Sequence, residues 1–424
     1  MRIAIVALNA FPAIEPSRGC GIGGLETFAW NLAQGLAASE ADEILFLVRS
    51  EHPKVTRVYE KVKVDFIHEP FRAIRQSVSK AVEIGSWKKL PRIKNWDPSL
   101  IWKIPTLAIR KLFFPRYSEE KSISLAINRF APELLLTLGV NQTSAILGEI
   151  ALALRIPIVL WLQSNADLAP QLFESGPFVD RYGVRSAHAQ QCIRLCRNII
   201  CQTETQRLLI QHIEPKFPNT LSQPIRTTFI PNPVNTNLFH PGESPLSERR
   251  GVLWIGRADR FHKRPLMAIE IAKRCPDIPF ILIVNPSDDA IRQEIINMKP
   301  PNVTLEDFVP SAEMPERMRK AWIFLSTGSA AYEGFPNVLL EASASGTPIV
   351  SLEDFDGFLS RSLGGFSSDG NLDSLVQFIY RLHESPSEWR AMGSSAIEYV
   401  RNHHDLSTIV ERFRNEAILA TVVR

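Results

Sequence analysis

Two glutamates, Glu333 and Glu341, stand eight residues apart in the stretch Tyr332 to Ser351, YEGFPNVLLEASASGTPIVS. The first lies in a Gly-Pro-containing loop, the second two turns into a helix that opens near Asn337. Pro336 suits the first helical turn, where its missing N–H costs nothing. Gly346, followed by Thr347 and Pro348, stops the helix, and Ile349-Val350 begins a strand. A helix that starts against a site offers free N–H groups and about half a positive charge to an anion. Carboxylates accept hydrogen bonds from hydroxyls. Phosphate on one side and hydroxyls on the other describe a nucleotide sugar.

Upstream, a strand over Val252 to Ile255 ends in Gly256-Arg257, and Lys263 follows six residues later in GRADRFHKRP. Two cations at the carboxyl end of a strand fit a diphosphate whose charge grows as a glycosidic bond breaks. Arg brings a planar fork and Lys a point charge, each worth about 1.5–3 kcal/mol per charged hydrogen bond. Arg260, His262 and Arg264 read as solvated neighbours. Near the start, Gly19-Cys20-Gly21-Ile22-Gly23-Gly24 is formally a GxGxxG, but strand two ends in Arg49-Ser50 with no acid for a ribose, which argues against a dinucleotide site. Glu26 sits where a first helical turn favours an acid.

Together these strings resemble the donor-site motifs of the retaining glycosyltransferases of family 4. The resemblance assigns the transferred sugar to Glu333 and the nucleotide ribose to Glu341, with the amides around Gly334, Phe335, Asn337 and Val338 facing sugar and phosphate. It makes Arg257 and Lys263 the diphosphate clamp, with Arg264-Pro265 where a glycine often follows. Backbone near Phe308 and Val309, in NVTLEDFVPSAEMPERM, lines the base pocket and leaves the base unnamed. Gly23-Gly24-Leu25-Glu26 is similar to the family's GG-x-E, which approaches the donor phosphate or the acceptor. The acceptor side then comprises Glu26, Gln163, Asn165 and Asp167. The family often carries a His at the end of the strand reading IPIVLWLQSNADL, where this chain has Gln163. Gln cannot act as a base near neutral pH, though a front-face mechanism, in which the leaving phosphate takes the proton, does not need one. Asp167 otherwise reads as a helix cap. CQTETQRLL, with Thr203 and Gln206 at capping-box spacing, and IPNPVNTNLF also resemble the family, and the likeness spans most of the chain except about 52–131.

The elements that must position these residues form two α/β halves. The first has strands over Ile3 to Leu8, Ile44 to Val48, Leu134 to Leu138, Ile156 to Leu162 and Asn198 to Cys201, with a helix over Leu25 to Ala37. The second adds helix Pro265 to Arg274, strands Phe280 to Val284 and Val303 to Leu305, helix Met314 to Ala321 and strand Ile323 to Ser326. Alternating strands and helices imply parallel sheets covered on both faces, with ligands at the carboxyl ends of the strands. The expected organisation is an acceptor-side domain over 1–230, a proline-rich hinge over 231–250, a nucleotide-sugar domain over 251–404, and a last helix in 405–424 returning to the first domain. The resemblance names this architecture GT-B: two Rossmann-like, doubly wound domains facing a cleft.

With 424 residues, 45% of them hydrophobic, the chain suffices for two or three cores, and it has no apolar run long enough to span a bilayer. Asn9 ends the first apolar run too early for a signal peptide. Five cysteines without matched spacing argue for buried thiols, Cys192, Cys196 and Cys201 among them, and for the cytoplasm. The net charge of +3 excludes nucleic acid as an obvious partner, yet residues 71–120 carry eleven Lys/Arg against four Asp/Glu, interleaved with Trp87, Trp96, Trp102, Phe113 and Phe114. Such an insertion suits either packing on its own domain or peripheral contact with an anionic membrane face.

The leading expectation is a metal-independent, cofactor-free glycosyltransferase acting on a hydroxyl of a glycan, glycolipid or small molecule. The alternatives are a nucleotide-sugar-binding protein without turnover, a nicotinamide oxidoreductase using the early glycines, and a metal-dependent transferase using Asp354-Phe355-Asp356 as a DxD.

Overall fold

The computed structural model describes residues 1–15, 23–50, 52, 54–69, 71–83, 92–93, 96–113, 119–217, 225–243, 248–285 and 287–418. Gly19 to Ile22 of the glycine-rich loop, Trp87 and Phe114 lie outside them. The chain folds into two mostly parallel sheets with helices on both faces, the GT-B architecture.

In spatial order the first sheet runs Arg226–Phe229, Asn198–Cys201, Ile158–Trp161, Leu134–Leu138, Arg2–Val6, Glu43–Ser50, Val62–His68 and Arg57–Tyr59. Every pairing is parallel except the last, a short hairpin. Leu134–Leu138 and Ile158–Trp161 are buried at every position. That is why they read as continuous apolar runs: helices cover both faces and no position alternates toward water. Two core clusters result, one on each face.

The second sheet is all parallel, in the order Val303–Glu306, Phe280–Asn285, Arg250–Arg257, Ala321–Ser326, Ile349–Ser351 and Gly365–Ser367. Its two faces carry their own clusters, centred on Trp254 and on Phe324. Gly251 opens the central strand with φ +64, and an added Cβ would lie 2.5 Å from the Pro279 carbonyl oxygen, so only glycine fits.

The chain crosses between the domains twice, side by side. Val234 donates to the carbonyl of His404 (2.8 Å), and Leu406 donates to that of Val234 (3.0 Å). Past this crossing, helix Leu406–Arg412 and the turn Phe413–Ile418 lie on the first domain. Phe413 stacks on Trp161 with ring centres 5.5 Å apart, and Arg414 pairs with Asp42 at 2.6 Å. Among the described residues no helix is long and apolar enough to cross a membrane.

Candidate active site

Arg257 is the last residue of its strand and half exposed, 3.7 Å from Asp259. Asp259 then winds the following turn, its carboxylate accepting the amides of Phe261 and Lys263 (3.2 Å each). This turn delivers Lys263 to Glu333: the ammonium lies 2.7 Å from one carboxylate oxygen and 2.9 Å from the other. His262 Nδ1 adds a contact of 3.2 Å. Glu333 is only 4% exposed. Burial alone would push its carboxyl up, but Lys263 and His262 outweigh that and hold it below the usual range.

His262 and Arg264, expected from the sequence to be solvated, both have partners inside the domain. His262 faces Glu333, and its carbonyl also accepts the amide of Ser329 (3.0 Å). Arg264 binds the carbonyls of Thr327 and Gly328 and pairs with Glu353 at 2.7 Å. Thr327 in turn donates to the carbonyl of Lys263 (2.7 Å) and accepts from the Trp254 indole (2.8 Å). Arg264 itself has φ +50, the left-handed conformation, which accounts for the glycine often found there in the family it resembles. Arg260 does reach solvent, paired with Glu294.

The second glutamate sits on helix Asn337–Ala344. Two details differ from expectation: Pro336 precedes the first helical residue instead of joining it, and Glu341 is the fifth residue, one turn in. Glu341 is partly buried. Burial pushes its carboxyl up to about 7, with Lys263 pulling the other way. Lys263 therefore acts on both glutamates. Phe308 and Val309 follow strand Val303–Glu306 at the same rim, Val309 packing into the core beneath. Val338 is partly buried against the same core cluster as Val309.

The first domain closes directly onto this loop. Ser164 Oγ donates to the carbonyl of Tyr332, and Asn165 Nδ2 donates to that of Ala330 (2.8 Å). Asn337 Nδ2 reaches the carbonyl of Gly24 (3.1 Å), while its oxygen accepts from Asn232 (2.7 Å). Gly334 lies close against the first domain. A Cβ there would lie 2.9 Å from Gln206 Nε2, 3.0 Å from Gln202 Oε1 and 3.1 Å from the Gln163 carbonyl oxygen. Thr203 caps its helix as expected, accepting the Gln206 amide (3.2 Å), and Gln206 Oε1 accepts the amide of Gln202 (2.8 Å), a residue no motif had singled out. Both glutamines are buried, and among the described residues neither side-chain amide atom of Gln202 nor Gln206 Nε2 finds a hydrogen-bond partner.

Other expected residues take different parts. Asp167 accepts the amides of Gln163 (2.8 Å) and Ser164 (3.1 Å) and forms a capping box with Ser164; burial pushes it up to about 6 despite those donors. Glu26, in the first turn of helix Gly24–Ala37, lies over Gly23. The Phe335 ring stacks on His404 (5.9 Å) and, with Tyr399 and Arg361, lines a pocket of about 420 Å³. Asp356 caps helix Glu204–Ile213 of the other domain, accepting Glu204 N at 3.1 Å, and Asp354 accepts Leu359 N at 2.8 Å. The apparent DxD is thus spent on backbone capping. Among the described residues no His, Cys, Asp or Glu cluster suits a metal.

At the mouth of the cleft, Arg181 of the first domain lies 4.3 Å from the Phe261 ring and 4.4 Å from that of Tyr332. No sequence pattern pointed to it, because both partners lie in the other domain.

Residues 249–384 match the family model described as glycosyl transferases group 1. The match falls on the second domain, which is similar to group 1 glycosyl transferases over that span. No curated protein sequence matches the chain. Among solved structures, sucrose-phosphate synthase from Thermosynechococcus elongatus is similar with TM-score 0.67 at 15% identity, covering 100% of both chains. HepE of Anabaena in complex with UDP and glucose gives 0.64 at 14% identity, covering 98% of each chain. A mutant of S. aureus TarM in complex with fondaparinux, alpha-GlcNAc-glycerol and UDP gives 0.65 at 13%, covering 98% of this chain and 99% of that one. At these identities the likeness is one of fold, and it extends over the first domain that the family model does not reach.

Proposed function

We propose that the chain is a retaining glycosyltransferase of the family 4 type, moving a sugar from a nucleotide diphosphate sugar to a hydroxyl acceptor without a metal ion. One observation carries the reading: Arg257, Lys263, Glu333 and Glu341 gather at the carboxyl rim of the second sheet, facing the first domain. Arg257 and Lys263 hold the diphosphate, Glu341 accepts the ribose hydroxyls, and Glu333 with the Gly334 to Val338 backbone holds the sugar. Gly23 and Gly24 border the phosphates through Asn337. The bond from the anomeric carbon to the diphosphate breaks as a bond to the acceptor oxygen forms on the same face. The acceptor's proton passes to the departing phosphate oxygen, so Gln163 need not serve as a base. A uridine diphosphate sugar is the first donor to try, since UDP occupies the HepE and TarM structures. Free, buried Cys192, Cys196, Cys201 and Cys275 support a cytoplasmic setting.

The test is release of nucleoside diphosphate with chelator present, and NMR of the product anomer. Chelator-insensitive release with the donor's anomeric configuration kept supports the reading. Inversion, or abolition by chelator, overturns it, and donor binding without release assigns the chain to binding alone.

A further inference from the structure

Helix Leu100–Phe113 is built inside out. Its inward side carries Leu100, which is buried, and Lys103, whose ammonium contacts Ser77 Oγ (2.6 Å) and Asp97 (3.5 Å). Its outward side carries Ile101, Trp102, Ile104 and Ile109, exposed by 68, 54, 42 and 54%. At 100° per residue these four fall on one face together with Pro105 and Ala108, and that face holds no charged residue. A surface helix ordinarily turns this stripe toward the core. Trp96, just before the helix, is 65% exposed as well. A contiguous exposed apolar face of this kind marks an interaction site.

Two observations identify what covers it. In the sequence, cations stand on either side of the helix: Lys88, Lys89, Arg92 and Lys94 precede it, and Arg110, Lys111 and Arg116 come at and beyond its end. An apolar face with tryptophans and flanking Lys/Arg matches the boundary of an anionic bilayer, where rings sit at headgroup level and cations meet phosphates. The position of the insertion is the second. It leaves the sheet at the carboxyl end of Val62–His68, where Glu69 pairs with Arg49 (2.7 Å) and Arg75. It returns at Glu119, which also pairs with Arg49. Both ends are therefore fastened at the cleft-side rim of the first domain, beside Asn9 of the loop that leads to Gly23 (Arg49 to Asn9, 3.2 Å).

We propose that the outward face of Leu100–Phe113 lies flat on an anionic lipid surface, turning the acceptor rim of the first domain toward the bilayer. Only the consequence, that the acceptor hydroxyl arrives from the lipid side, rests on the transfer reading; lipid binding itself does not involve the donor site.

The experiment is flotation of the full chain with vesicles of phosphatidylcholine alone or mixed with phosphatidylglycerol, at low and high salt. Trp102→Ser/Ile109→Ser and, separately, Ile101→Ser are compared, with melting temperature as the folding control. The expected result is binding to the anionic vesicles only, weakened by salt, and reduced about tenfold or more by the double substitution with the melting temperature unchanged. No binding to anionic vesicles at low salt, equal binding to neutral vesicles, or undiminished binding by both variants overturns the proposal. So does a dimer that the substitutions dissolve while vesicle binding is absent, which gives the face to a second copy.

Discussion

Lys263 and Glu333 form a partly buried ion pair, with the ammonium 2.7 and 2.9 Å from the two carboxylate oxygens. In the proposed reaction Lys263 turns toward phosphate and Glu333 toward sugar hydroxyls. Until then each neutralises the other, and His262 remains as the second contact of Glu333.

Lys263→Ala strips that pair of its cation. The expected cost is about 3 kcal/mol of stability, the low end for a buried charge left without its partner, because Lys263 keeps some solvent contact. Lys263→Met combined with Glu333→Gln should regain most of it while leaving turnover lost. Urea melts of Lys263→Ala, the double variant and wild type, side by side, check this, and equal stability of single variant and wild type would contradict it.

Gly334→Ala places a methyl group against Gln202, Gln206 and the Gln163 carbonyl, all in the first domain. The expected effect is on closure: a fall in kcat of roughly tenfold to a hundredfold, with the melting temperature little changed. Steady-state kinetics beside a thermal melt separate the two. A large loss of melting temperature would show that the contact serves folding instead.

Glu341 gives a pH dependence with a definite sign. Its folded carboxyl titrates near 7, above its ordinary value of 4.5. The folded chain therefore holds more protons than the unfolded one between those values, and this group's share of stability falls as pH rises through that window. Donor affinity runs the other way, since ribose hydroxyls bind the ionised form better: it should rise toward pH 7 and then level off, by about tenfold for each unit that the donor lowers the carboxyl pKa. Calorimetric titrations across this range, flat in Glu341→Gln, are the check.

Arg264→Ala should destabilise by about 2–3 kcal/mol, since charged hydrogen bonds to the Thr327 and Gly328 carbonyls are lost and those acceptors lie partly buried. Because Thr327 also holds the Lys263 carbonyl, donor affinity falls with it. Arg260→Ala, on the exposed pair with Glu294, should change neither by more than about 0.5 kcal/mol. Thermal melts of the two variants side by side decide.

The strands and the donor helix were legible because their signals are local. Leu134–Leu138 is a run buried on every side, and Gly346 takes φ +66 where a helix must stop. Arg264 and His262 were misread because nothing nearby in sequence announces their partners; Thr327, Gly328 and Glu333 lie more than sixty residues on. Gln202 and Arg181 escaped for the same reason, each meeting residues of the other domain. The turn position of Glu341 follows from counting alone: four residues past Asn337 make one turn at about 3.6 residues per turn, not two.

The most direct test is ligand-induced stabilisation against UDP-, GDP- and ADP-sugars and NADPH, for wild type, Arg257→Ala and Glu341→Ala. The account predicts that one nucleotide sugar raises the melting temperature of the wild type and of neither variant. No response to any nucleotide sugar, or stabilisation by NADPH alone, would contradict it.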